Sequence, residues 1–167
     1  MKKIISFVAA RSQSGKTTLI EKIVTILKKQ GLNVAVVKHA SAGFDIDQPG
    51  KDSWRFQQAG ADTVVLVGPD RIALMKRVGH EPDPEDIVSL TNDADIVLRE
   101  GFKESGQHKI EVFRHGVSGE RPLCMSDPSY LALVSDRSFP VSIPQFDLNN
   151  AEGIASFILK NIAADQV

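Results

Sequence analysis

The chain has 167 residues, 42% of them hydrophobic and 25% charged, which excludes a disordered, collagenous or fibrous protein and supplies enough apolar material for one core without disulfides or a structural metal. Twenty lysines and arginines face 21 aspartates and glutamates, a net charge of −1. No global positive field therefore draws in nucleic acid or an anionic membrane, and any anion has to be held locally.

Residues 1–10 open with two lysines and a short apolar run that superficially resembles a secretion signal. The run is too short for that, and no stretch approaches the roughly 18 apolar residues that a membrane span needs. A cytoplasmic protein of one domain over residues 1–167 is expected, with neither nucleic acid nor membrane as a partner. Residues 4–8, Ile-Ile-Ser-Phe-Val, read as a buried strand. A polar loop follows, and then residues 17–30 place Leu19, Ile20, Ile23, Val24, Ile26 and Leu27 at helical spacing, with Lys28 and Lys29 suited to the negative end of the helix dipole. Residues 34–37 form a second strand, completing a βαβ unit whose parallel strands need that crossover.

A polar, acidic loop occupies residues 42–50, and Asp52 or Ser53 can cap a short helix ending near Gly60. Residues 63–67 and 72–75 flank Gly68-Pro69-Asp70-Arg71 and predict an antiparallel hairpin. Asp83-Pro84 starts a helix to about residue 90, and residues 95–98 form the next buried strand. Residues 109–114 mix polar and apolar side chains and read as a strand near a sheet edge with one face wet. Residues 130–134 add another strand, and Asn149 with Glu152 resembles a capping box before a final helix carrying Ile154, Ala155 and Ile158. The fold class expected is α/β: a three-layer, mostly parallel sheet with helices on both faces, plus the antiparallel hairpin. Ligands of such sheets bind at the carboxyl ends of the strands. Cys124, the one cysteine, is read as buried and inert and agrees with a reducing compartment.

Chemistry concentrates in Ala10-Arg11-Ser12-Gln13-Ser14-Gly15-Lys16-Thr17-Thr18, a phosphate-binding loop with alanine in the first glycine position, set between a strand and a helix as its mechanism requires. Gly15 lets backbone approach a phosphate chain, Lys16 reaches the β- and γ-phosphates, the Thr17 hydroxyl ligates Mg²⁺ and Thr18 donates to a nearer phosphate. Such a P-loop NTPase site needs an acid at the end of a neighbouring strand to hold Mg²⁺, and Glu100 occupies that position, with Gly101 turning the chain beside it. Asp45 and Asp47 form a weaker acidic pair in the loop after the second strand.

With these residues the chain resembles the family of molybdopterin-guanine dinucleotide biosynthesis protein B. Beyond the phosphate loop the resemblance rests on Val37-Lys38-His39, Phe44-Asp45-Ile46-Asp47, Pro49-Gly50-Lys51-Asp52-Ser53, Ala59-Gly60-Ala61, Glu100-Gly101-Phe102-Lys103 and Ile110-Glu111-Val112-Phe113-Arg114. It implies a dimeric GTP-binding protein with at most slow GTP hydrolysis that assists a separate molybdopterin guanylyltransferase. Gly15, Lys16, Thr17 and Thr18 would bind phosphates, and Thr17 and Glu100 would serve Mg²⁺ with Asp45 or Asp47 contributing through water. Lys38 and His39 would lie near the ligand edge without an assigned task. Three departures stand out: Ala10 for glycine, no further histidines in Ala40-Ser41-Ala42-Gly43, and Arg99 before the glutamate, which must reach solvent or a carboxylate.

Guanine is told from adenine by a carboxylate accepting from its N1–H and N2–H₂ groups. Asp136 is the candidate, with a simple turn-forming aspartate as the alternative, so GTP preference leans on the resemblance. Two other functions compete. A small-molecule kinase would want an arginine-bearing helical lid, where this chain has a hairpin and proline-rich turns. A metal-delivery GTPase would want a Cys- or His-rich ligand set, where His39, His80, His108 and His115 are scattered.

Overall fold

A computed structural model describes residues 3–104 and 108–164. In chain order the elements are β1 (Lys3–Val8), α1 (Lys16–Lys29), β2 (Val34–Lys38), α2 (Asp52–Gln58), β3 (Thr63–Val67), β4 (Ile72–Lys76), α3 (Pro84–Ser89), β5 (Ile96–Glu100), β6 (Lys109–Phe113), a 3-10 turn (Leu123–Met125), β7 (Tyr130–Ser135), β8 (Gln145–Phe146) and α4 (Ala151–Ala164). They fall into two compact units, one of residues Met1–His39 with Pro84–Val167 and one of residues Ala40–Asp83.

The larger unit is a six-stranded sheet in the order β2-β5-β1-β6-β7-β8, every neighbouring pair parallel. Near-continuous aliphatic runs such as Ile96-Val97-Leu98 suit strands covered on both faces. On one face, Ile5, Phe7, Ile96, Leu98, Ile110, Val112, Ala132 and Val134 pack against Leu19, Ile20, Ile23 and Leu27 of α1 and Ala151, Ile154, Ala155 and Ile158 of α4. Each large aliphatic buried there contributes roughly 1.5–3 kcal/mol of transfer free energy. Because the strands share one direction, their carboxyl ends line one edge, where Lys38, Glu100 and Phe7 sit side by side across β2, β5 and β1.

The smaller unit holds α2 and the β3–β4 hairpin, antiparallel as the turn residues predicted, with Thr63 opposite Lys76 and Val67 opposite Ile72. Val64 and Ser53 are buried in it.

Some expectations need correction. Residues 109–113 do not line a sheet edge with a wet face: β6 lies between β1 and β7 and all five residues are buried. Its charges are met internally. Lys109 Nζ reaches Asp127 Oδ2 at 3.2 Å and the Lys103 carbonyl at 3.3 Å, while Glu111, fully buried, accepts the N–H groups of Leu123 and Cys124 at 2.8 Å each. Asn149 does not open α4. Asn150 does, its Oδ1 accepting the Gly153 N–H at 2.9 Å, so Glu152 falls one position short of a capping box. Cys124 is half-buried rather than buried. Desolvation, with Glu111 adding to it, pushes its thiol up to about 12, which favours the protonated form. Neither β8 nor the 3-10 turn was foreseen, since two and three residues carry no periodicity.

Candidate functional site

The segment between β1 and α1 turns back over the end of its own strand. Gly15 caps α1 at φ 95° and brings no side chain to the cap, so the first-turn N–H groups are left to outside acceptors. The left-handed conformation suits glycine, and a Cβ there would stand 3.1 Å from Arg114 Nη2. Gln13 is left-handed too, at φ 62°, a costly conformation for a residue with a side chain. Ala10 does not share that conformation, so alanine replaces the usual glycine without strain.

Lys16 Nζ lies 3.4 Å from the Ser14 hydroxyl and 3.5 Å from the Arg11 carbonyl. Burial lowers its pKa, the attraction of Glu100 opposes that, and repulsion from Lys38 adds to it. An anion entering the loop would relieve what burial costs. The Thr17 hydroxyl donates to Glu100 Oε1 at 2.9 Å across 83 positions of sequence, and Lys38 Nζ stands 3.6 Å from Glu100 Oε2. Thr18 is exposed in the first turn of α1. Gly15, Lys16, Thr17, Thr18 and Glu100 are thus brought together, and Lys38, without an assigned task in the sequence reading, joins them.

The remaining candidates are placed differently. Asp136 lies just past β7, where its carboxylate accepts the His115 N–H at 2.9 and 3.2 Å and ties the segment after β6 to that after β7. Asp47 belongs to the smaller unit, where its Oδ1 accepts from the Ser53 hydroxyl at 2.8 Å and its Oδ2 from Gln57 Nε2 at 3.1 Å. Arg99 is 2% exposed. Its Nε donates to the Ser6 hydroxyl at 3.0 Å and its guanidinium lies 5.2 Å from the Phe102 ring centroid, so it turns inward rather than to solvent. His39 meets the same ring at 5.3 Å and donates its backbone N–H to the Glu100 carbonyl at 3.0 Å.

A hydroxyl and a carboxylate 2.9 Å apart are hard oxygen donors of the kind Mg²⁺ takes when phosphate oxygens and water complete its octahedron. The residues present therefore fit the ion. Lys16 beside them supplies a flexible positive charge for a phosphate chain.

Fold and loop together define a protein of the P-loop NTPase class. The model of the family described as molybdopterin guanine dinucleotide synthesis protein B matches residues 4–136, and the chain belongs to that family. It is 36% identical over 157 residues to the molybdopterin-guanine dinucleotide biosynthesis adapter protein of Escherichia coli K12, covering 91% of this chain and 89% of that one. The protein of the same name from Haemophilus influenzae is 34% identical over 152 residues, covering 88% and 83%. A crystal structure of molybdopterin-guanine biosynthesis protein B superposes with a TM-score of 0.75 at 32% identity, covering 95% of this chain and 99% of that one.

Proposed function

We propose that this chain binds GTP with Mg²⁺ at residues 10–18 and, in that form, assists a molybdopterin guanylyltransferase. The accessory role in molybdenum cofactor biosynthesis comes with the family, whose Escherichia coli and Haemophilus influenzae members carry the name of adapter proteins for molybdopterin-guanine dinucleotide biosynthesis. The observation that carries the nucleotide reading is the meeting of Thr17 and Glu100 at 2.9 Å beside Lys16. Lys16 reaches the β- and γ-phosphates, Gly15 and Thr18 donate backbone N–H groups, and Thr17 with Glu100 serves Mg²⁺. Asp136 accepts from the guanine edge with the oxygen lone pairs that His115 leaves free. Mg²⁺ when bound neutralises charge between the two outer phosphates, while this chain's own groups orient the phosphate chain and hold the ion. Hydrolysis is slow at most, and the protein works in the cytoplasm as a homodimer.

Calorimetric titration with GTP, ATP and GDP, each with and without Mg²⁺, tests base choice and metal linkage together. Tighter binding of GTP than ATP, strengthened by Mg²⁺, is expected. Lys16→Ala is expected to weaken GTP binding roughly ten- to a hundredfold, as loss of a charged contact does. Wild-type affinity in that variant would refute the assignment.

A further inference from the structure

Arg114 comes off the carboxyl end of β6 onto the phosphate loop. Its Nε donates to the Ser14 carbonyl at 3.4 Å, and its Nη2 stands 3.1 Å from the point a Cβ on Gly15 would occupy. The backbone beneath it is fixed: the Arg114 N–H donates to the Ser118 hydroxyl at 2.9 Å, and the Ser118 N–H returns to the Arg114 carbonyl at 2.9 Å. Ser118 and Ser14 are both buried. The bond to Ser14 uses one of five guanidinium donors, and Nη2 faces Gly15, the loop residue with no side chain. That is more than a hydrogen bond to one carbonyl requires.

Topology says which end of a ligand this arginine would meet. In the order β2-β5-β1-β6-β7, the loop after β1 is flanked by β5 on one side and β6 on the other. Thr17, Glu100 and Lys38 gather on the β5 side, and since Thr17 and Glu100 would hold an ion that neutralises the outer phosphates, the terminal phosphate would lie toward β5. The nucleoside then extends toward β6 and β7, past Arg114. We propose that Arg114 is a phosphate ligand at the nucleoside end of the chain, binding the inner phosphates of a nucleoside diphosphate and triphosphate alike. The proposal rests on the reading of residues 10–18 as a GTP site. In a protein of net charge −1 it gives the loop a second cation that, unlike Lys38, pairs with no carboxylate among the described residues, and one able to grip two oxygens at once.

The test compares Arg114→Lys, Arg114→Gln and Arg114→Ala with wild type by titration of GTP and GDP, with Mg²⁺ and with a chelator. Glutamine can keep a donor to the Ser14 carbonyl without the charge, and thermal unfolding without nucleotide reports whether each variant folds. The Gln and Ala variants are expected to bind GTP and GDP roughly ten- to a hundredfold more weakly, by the same factor for both and in both metal conditions, with Lys restoring most of the affinity. Wild-type affinity in Arg114→Gln would make the side chain a brace for Ser14 and overturn the proposal. So would a loss confined to GTP, which would put the arginine at the terminal phosphate. A wild-type protein that bound neither nucleotide would sink the GTP site itself, a different failure from a functional site indifferent to Arg114.

Discussion

Asp127 accepts from the Ser129 N–H at 2.9 Å and from Lys109 Nζ at 3.2 Å, and this bonding, that from Ser129 first, lowers its carboxyl to about 2 from an ordinary 3.8. A carboxylate depressed in the folded state stabilises the fold above its unfolded value, and that contribution is lost as pH falls through the window between the two. For Asp127 the window runs from just under 4 down to about 2. Thermal midpoints measured across it should fall with pH in the wild type and more shallowly in Asp127→Asn; parallel slopes would show that the carboxylate does not carry the effect. The turn from β1 into α1 is legible at this scale because residues 10–18 are contiguous in sequence, running from a strand end into the first turn of a helix. Arg114 is not, because nothing in Ile110-Glu111-Val112-Phe113-Arg114 says that its strand ends beside Gly15. Only the neighbouring of β6 and β1 brings the two together.

The start of α4 shows how much a helix owes to one side chain. Asn150 Oδ1 satisfies the Gly153 N–H at 2.9 Å, and Asn150→Ala should cost about 1 kcal/mol, read as a lower urea midpoint with unchanged slope. Asn149→Ala should have little effect, and equal losses in the two would contradict the assignment of the cap. A Cβ on Gly153 would come within 2.6 Å of Asn150 Nδ2, so the gain in helix propensity from alanine there is offset by displacement of the cap. Most other elements were readable from periodicity and turn residues, α1 and the hairpin to within a residue or two. β6 departs from its expected place because alternation of Lys109, Ile110, Glu111 and Val112 looks like a half-solvated strand. Burial of Glu111 depends on donors from Leu123 and Cys124, which belong to a turn with no signature of its own, and that of Lys109 on Asp127, 18 positions away.

Taken whole, the molecule keeps its apolar surface unevenly. The hairpin of the smaller unit is two strands with two open edges, and Val67, Ile72 and Leu74 along it are 76%, 72% and 53% exposed. Isolated two-stranded sheets are marginal in water, and an uncovered apolar edge invites pairing. If the hairpin forms the homodimer contact, sedimentation at micromolar concentration should give twice the monomer mass, and amide exchange in β3 and β4 should slow as concentration rises. A monomer with concentration-independent exchange would remove the hairpin from that role. Strands β1, β5, β6 and β7, buried in the sheet interior, should exchange slowest in either case.

Valine, isoleucine and leucine recur in every long strand of the sheet and are interchangeable to the hydrophobic effect, so something else has to stop the strands from misthreading past one another. Ser6, Arg99 and Glu111 supply it, all buried on the side of the sheet away from α1 and α4. Sliding β5 or β6 by a single position would swing a guanidinium or a carboxylate into the aliphatic layer, at a cost of several kcal/mol. These polar groups act as alignment pins, allowing one threading of the strands and so fixing the edge on which Glu100 meets Thr17.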